Sequence, residues 1–425
     1  MYVVVYMTIC MKNLILSLFC LGASLTACSQ PNTKPAPATP ITIGSIDSLH
    51  SDILQEDRSI WVYVPGGDRS GYFSQQRYPV VYLLDGDAHF TSVVGMMEQL
   101  SSVNGNDICP QMIVVGITNT DRMRDLSPTH VERGPYLNAE AAKTTGGGEA
   151  FLSFLEKELM PYIESKYPTA PYRMLIGHSL GGLLAMHALV HHPSMFNSYV
   201  AIDPSMWWDS RKLLKETEQT LATGQKMIGK TLYLGIANTL ESDMDFRTVE
   251  RDTSQASEHI RSILALDKTL KTSTKSQLKY KSKYYSDDTH GSAAFITEYD
   301  ALHFIFDFYP LKLRGKDYQD TTGIVLDKIR EKCALRSEKM GYEVKPSEDL
   351  FNNLGYQALG SGRLELAGRY FRQNIEYYPE SFNVYDSYGD YFVAKGDTAN
   401  AILQFEKSLS KKETPETRKK LDGLK

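Results

Sequence analysis

The chain predicts an α/β domain built on a mostly parallel, doubly wound sheet, followed by a small all-α domain of helical repeats. Three observations carry this. From Ile41 to about Pro310, short apolar runs of strand length alternate with amphipathic segments of helix length. One strand-to-helix junction carries a serine between glycines. Past Pro310 the strand-like runs stop and a helical pattern recurs at a spacing of 34 residues. A chain of 425 residues, 42% hydrophobic and 23% charged, has the balance of a globular protein and room for two or three domains.

The strands are expected at Ile41 to Leu49, Ser59 to Val64, Tyr78 to Leu84, Met112 to Ile117, Arg173 to Ile176, Tyr199 to Ile202, Thr231 to Ile236 and Leu278 to Tyr285. The first two form an antiparallel hairpin turning near Pro65, Gly66 and Gly67. Helices are clearest at Gly148 to Lys166, Leu180 to His191 and Thr253 to Leu270.

Charge disfavours nucleic acid. With 46 basic and 51 acidic residues the net charge is −5, and phosphate binding needs a clustered positive field. No Cys/His cluster has metal-ligand spacing, and no metal or organic cofactor is expected. The leader sets the compartment: Lys12 precedes an apolar stretch from Leu14 to Leu25, and Leu25-Thr26-Ala27-Cys28 resembles a bacterial lipobox. Residues 1–28 are therefore expected as a lipoprotein-type signal with Cys28 as the lipidated residue, and 29–40 as a Pro-rich tether. The protein would then be extracytoplasmic, held to a membrane. Cys10 and Cys20 fall in the leader, leaving Cys109 and Cys333 as the remaining thiols.

Chemistry centres on Gly177-His178-Ser179-Leu180-Gly181-Gly182, with an apolar strand before it and a helix-forming stretch after it. A serine thrust out of a strand-to-helix turn needs neighbours without side chains, because the turn is strained and tightly packed. Ser179 is the candidate nucleophile, and the Leu180 N–H, at a helix start, is a candidate oxyanion donor. The base should lie downstream. His187, His191, His192, His259 and His303 fall in helical stretches and read as packed or surface residues. His290, in the polar loop Ser286 to Ser292 after the last strand, is the candidate base. The orienting acid is expected in the loop after the preceding strand. Glu241 is the first choice there, with Asp243 and Asp245 as alternatives and Asp252 weaker, since a helix cap explains it equally well. The second oxyanion donor is expected from Gly86 or Asp87 in Asp85-Gly86-Asp87, after the third strand.

VYLLDGDAHF, NTDRMRDLSP, RMLIGHSLGG, DPSMWW and YYSDDTHGS, in that order, resemble the putative-esterase family of α/β hydrolases, which groups esterase D-like, ferric enterochelin, feruloyl and acetyl-xylan esterases with mycolyltransferases. The resemblance covers about Ile41 to Pro310 and implies an α/β-hydrolase fold with Ser179 as nucleophile, His290 as base and the Asp85-Gly86-Asp87 loop as oxyanion loop. The acid does not carry over, because this loop is longer than usual. An acyltransferase would use the same residues.

Trp207 and Trp208, after the sixth strand, could stack on a sugar or aromatic acyl group or be core residues. The connection from Asn119 to Gly148 holds Arg122, which could bind an anionic substrate group or pair with Asp125. In the tail, Phe351, Leu354, Gly355, Ala358, Ala367, Phe371 and Pro379 match tetratricopeptide spacing, as do Tyr385, Tyr388, Gly389, Phe392, Ala401 and Phe405. The expected organisation is a hydrolase domain over 41–310, a helical linker over 311–347 and two repeats over 348–415. The repeats could bind a protein partner, self-associate, or brace the catalytic domain. A non-catalytic binding protein acting through them is the reading from another class.

Overall fold

In the computed structural model, residues 40–66, 73–74, 76–134, 137–223, 227–319 and 322–425 are described. The leader, Cys28, Gly67 and most of the tether lie outside them. The strands are β1 (Ser45–Ser51), β2 (Glu56–Tyr63), β3 (Tyr78–Leu83), β4 (Ile113–Ile117), β5 (Thr169–His178), β6 (Ser198–Ile202), β7 (Thr231–Ala237) and β8 (Lys279–Tyr285). They form one sheet in the order β1-β2-β4-β3-β5-β6-β7-β8. β1 and β2 are the antiparallel hairpin, but it turns at residues 52–55, where Ser51 pairs with Glu56, and not near Pro65 and Gly66, which follow β2. β2 joins β4 antiparallel, and every later pairing is parallel. Each expected strand is present. β5 is the one that grows most, to Thr169–His178, reaching back to Thr169 and forward to the serine turn.

The apolar runs are continuous because the central strands are covered on both faces. In β3, Val80 and Tyr82 enter one core and Val81 and Leu83 the other, following the two-residue period of a strand. The edge strand β8 differs: Lys279 and Lys283 pair with Asp307 and Asp300, and charged side chains on an edge discourage pairing with another chain. The expected helix from Gly148 to Lys166 is a continuous run with one π turn at Leu155–Leu159.

Beyond the sheet, helix Ile324–Met340 joins the two halves. Val325, Leu326, Ile329 and Cys333 pack into the core of the C-terminal helices, whereas Met340 packs with the sheet. Arg336 ties it to the sheet half through Asp107 at 2.5 Å, with its guanidinium 3.8 Å from the Tyr309 ring centre. Cys109 and Cys333 are free, buried thiols. Two helical hairpins follow, Glu348–Gly360 with Leu364–Tyr377 and Phe382–Lys395 with Thr398–Lys411. A Cβ on Gly355 would come within 2.5 Å of the Phe371 ring, and one on Gly389 within 2.3 Å of Phe405. The same glycine-to-phenylalanine contact thus recurs 34 positions on, which is why these positions carry no side chain.

Candidate active site

Ser179 sits at φ 60°, ψ −113°, between β5 and helix Leu180–His191. Such a backbone is costly for a residue with a Cβ and persists only where the surroundings over-determine it. They do so here: Ser179 N–H donates to Ile202 O at 2.9 Å, and its carbonyl accepts from Leu183 and Ser205 at 3.0 Å each. A Cβ on Gly177 would lie 2.2 Å from Gly181 O, and one on Gly182 3.1 Å from Ile202 O. The glycines are needed because chain crosses chain. The Ser179 hydroxyl has the Ser205 hydroxyl at 3.4 Å.

His290 lies in the loop after β8, and its Nδ1 is 2.6 Å from Asp203 Oδ2. A carboxylate only accepts, so Nδ1 carries the proton and Nε2 is the basic nitrogen. His178 Nε2 donates to the His290 carbonyl at 2.8 Å, fixing the loop from behind. Burial, followed by the nearby His290 and His89, pushes the His178 pKa down to about 4, so this ring stays neutral while it donates.

The acid is therefore not where the sequence placed it. Glu241 is exposed, and the partner of His290 is Asp203, fully buried at the end of β6 with φ 42°. Asp243 and Asp245 are also exposed; Asp245 pairs with Arg247, and Asp252 accepts from Ser254 and Ser257. The reason is topological. β6 lies directly beside β5, so a side chain at its end needs no loop to stand behind the serine turn, whereas β7 is one strand further out. Asp203 Oδ1 accepts the Ala237 N–H at 2.9 Å, and Oδ2 receives His259 Nε2 at 2.8 Å as well as His290. Burial alone would raise the Asp203 pKa, but the hydrogen bonds from His259 and His290 outweigh it and hold the carboxyl well below the usual range. His259, read as a packing residue, thus belongs to the site. An aspartate at the C-terminal end of a strand adjoining the serine strand was the signal available for Asp203.

Asp85 precedes helix Gly86–Ser101 in the left-handed region, at φ 51°. Its side chain does not cap that helix. It is gripped by Arg122, with Nε and Nη2 at 2.6 and 2.9 Å, and by Asn119 at 2.7 Å. The N–H groups of Gly86 and Asp87 precede the first intrahelical bonds and, with that of Leu180, supply donors at two helix starts. Gly86 owes its lack of side chain to packing: a Cβ would lie 2.6 Å from the Gly116 backbone. Arg122 also reaches His178 O at 3.3 Å, so it braces the loop and is not free for a substrate anion. Nor does it pair with Asp125, which is buried against Arg58 at 2.6 Å and Arg124 at 2.8 Å.

Trp207 and Trp208 are buried, at 8% and 3% exposure, and do not offer a stacking face. Trp208 Nε1 donates to Thr129 O at 3.1 Å, and the Trp207 ring lies 3.5 Å from where Gly134 would carry a Cβ, so the pair holds down the long connection after β4. The Gly146-Gly147-Gly148 run lies against His130, Arg124 and Ser127, folding that connection back on itself.

A nucleophile elbow at the end of β5, with an Asp–His pair beside it, defines an α/β hydrolase of the serine type. The family model for putative esterases matches residues 51–285, more than half of the chain, and the chain belongs to that family. The siderophore enterobactin esterase of Emericella nidulans is 32% identical over 168 residues, 37% of this chain and 54% of that protein. The ferri-bacillibactin esterase of Bacillus subtilis is 33% identical over 163 residues, 35% of this chain and 55% of that protein. The chain thus spans about half the length of these curated relatives. Among solved structures, an IroE-like serine hydrolase from Shewanella oneidensis is 30% identical with a TM-score of 0.63, covering 79% of this chain and 99% of that one.

Proposed function

We propose that the protein is a serine esterase that cleaves a carboxylic ester through an acyl-enzyme on Ser179. The observation that carries this is the 2.6 Å bond from His290 Nδ1 to buried Asp203 beside the elbow serine. His290 Nε2 takes the Ser179 proton as Oγ attacks the ester carbonyl, and the oxyanion gathers on the N–H groups of Leu180 and of Gly86 or Asp87. The C–O bond to the alcohol breaks as His290 returns its proton to the leaving oxygen. Water, deprotonated by His290, then releases the acid and frees Ser179. Asp203 keeps the imidazole in one tautomer and stabilises the imidazolium.

The substrate class we propose is an ester of a siderophore, which is what the names of the two relatives support. Among the described residues no helix is long and apolar enough to cross a membrane. The proposed anchor is a lipid on Cys28, which places the enzyme outside the cytoplasm. The C-terminal hairpins are proposed as tetratricopeptide-like repeats that brace the hydrolase or receive a partner, and the two-sided packing of helix Ile324–Met340 supports bracing. The test is an ester panel of p-nitrophenyl esters, acetylated xylan, feruloyl esters and ferric catecholate siderophores, with Ser179→Ala as blank. A ferric siderophore cleaved far faster than p-nitrophenyl acetate supports the reading. Equal rates with the blank overturn it.

A further inference from the structure

Away from the serine, three imidazoles and two carboxylates meet where helix Leu180–His191 ends. His187 and His191 are one helical turn apart, with ring centres 4.4 Å apart, and His192 follows. Glu149 comes from helix Gly148–Phe154 and Glu216 from helix Trp208–Ala222. His187 Nε2 is 2.5 Å from Glu149 Oε1, His192 Nε2 is 2.9 Å from Glu149 Oε2, and His191 Nε2 is 3.1 Å from Glu216 Oε2. Ligand atoms of His187, His191 and Glu216 all lie within 4.8 Å of one another.

One atom is left over. His187 is buried, its Nε2 is taken by Glu149, and its Nδ1 has no hydrogen-bond partner among the described residues. A buried imidazole nitrogen that neither donates nor accepts is an unfavourable solution for a fold. A carboxylate on the far nitrogen of an imidazole is, by contrast, the arrangement that orients a metal-binding histidine and fixes its tautomer.

We infer that this cluster is a binding site for a divalent transition-metal ion of the Zn2+ kind, held by His187 through Nδ1, by His191 and by Glu216, with Glu149 as the carboxylate behind His187. Two imidazoles and one carboxylate suit zinc, and water would complete a four-coordinate shell. Ligand atoms around such an ion sit roughly 3 to 3.5 Å apart, a spacing the 3.1 Å contact from His191 to Glu216 already has. The ion would pin the end of the helix that begins after Ser179 to helix Trp208–Ala222. In sequence alone, these three histidines read as surface or packing residues.

The test is titration of metal-stripped protein with Zn2+, and with Co2+ for its visible d–d absorption, in a His290→Ala background so that the Asp203 group does not compete. The expected result is one equivalent bound, with a higher thermal midpoint. Binding should fall at least about 100-fold in His191→Ala and in Glu216→Gln, both partly exposed positions that leave the core intact. Glu149→Gln should weaken it about 10- to 100-fold, and His192→Ala should change it little. Absence of saturable binding, or binding indifferent to His191→Ala and Glu216→Gln, overturns the site. Loss in His192→Ala with His191→Ala unaffected would move the ion to the Glu149 side and overturn this ligand set.

Discussion

Asp203 Oδ2 receives two imidazoles, His290 Nδ1 at 2.6 Å and His259 Nε2 at 2.8 Å, while its other oxygen is held by the Ala237 N–H. A fully buried carboxylate with three donors cannot swing. It orients His290 because it is itself held.

The first prediction concerns the identity of the acid. Asp203→Asn should leave the fold intact but lower kcat about 10^3- to 10^4-fold, because an amide in that position favours the wrong tautomer of His290. Glu241→Gln should stay within about 2-fold of wild type. Ester hydrolysis by the two variants at one pH decides between them. Comparable losses in both would return the acid to the loop after β7.

His259 should act as a positioning residue. His259→Phe removes one donor from a buried anion, and a hydrogen bond to a charged group is worth about 1.5 to 3 kcal/mol. A fall in kcat of about 10- to 100-fold follows, with KM little changed. His259→Gln, which still presents an N–H, should recover part of it. The acid limb of the kcat/KM profile should also move in His259→Phe, a displacement that mere loss of packing would not produce.

Much of this was legible in sequence because it rests on local requirements. The eight strands announce themselves as apolar runs, and the serine turn as glycines that must let chain cross chain. His290 stands out as a histidine in a polar loop after the last strand. What stayed hidden depends on which strands are neighbours. Asp203 ends β6, which adjoins β5, and nothing in its Asp-Pro-Ser context marks it apart from a turn residue. The substrate-binding reading of Arg122 and of the tryptophans fails for the same reason, while the core reading of the tryptophans holds. Their types suit ligand binding, yet Arg122 meets Asp85, 37 positions earlier, and Trp208 meets Thr129, 79 positions earlier.

Arg122 and Asp85 give a third prediction. Asp85 is buried, so Arg122→Ala leaves a carboxylate with Asn119 as its remaining side-chain partner among the described residues. Breaking such a pair from one side costs roughly 3 kcal/mol in stability, mostly through the charge left behind. The Gly86 and Asp87 N–H groups lose their brace, so kcat should fall at least about 10-fold. Adding Asp85→Asn should restore much of the stability without restoring kcat. Urea unfolding beside steady-state kinetics separates the two effects. Equal recovery of both would mean that Arg122 stabilises the fold and does not set the oxyanion loop.

A fourth prediction concerns Glu298, on helix Ala293–Ile305 just beyond His290, where the carboxyl is 2% exposed and neither oxygen has a hydrogen-bond partner among the described residues. Burial pushes its pKa up to about 8. The folded state therefore holds this proton between the unfolded value near 4.5 and about 8, where the unfolded chain has released it. Its contribution to stability is fully present below about pH 4.5, falls by about 1.4 kcal/mol per unit as pH rises, and is lost by about pH 8. His178 pulls the other way between pH 6.5 and 4, because its buried ring resists protonation. The informative quantity is therefore a difference: Glu298→Gln should gain on wild type steadily from pH 5 to pH 8, by on the order of 3 kcal/mol, and then level off. Denaturant unfolding of both proteins across that range measures it. A difference flat in pH would mean that the carboxyl meets water or a partner and is not held as a neutral acid.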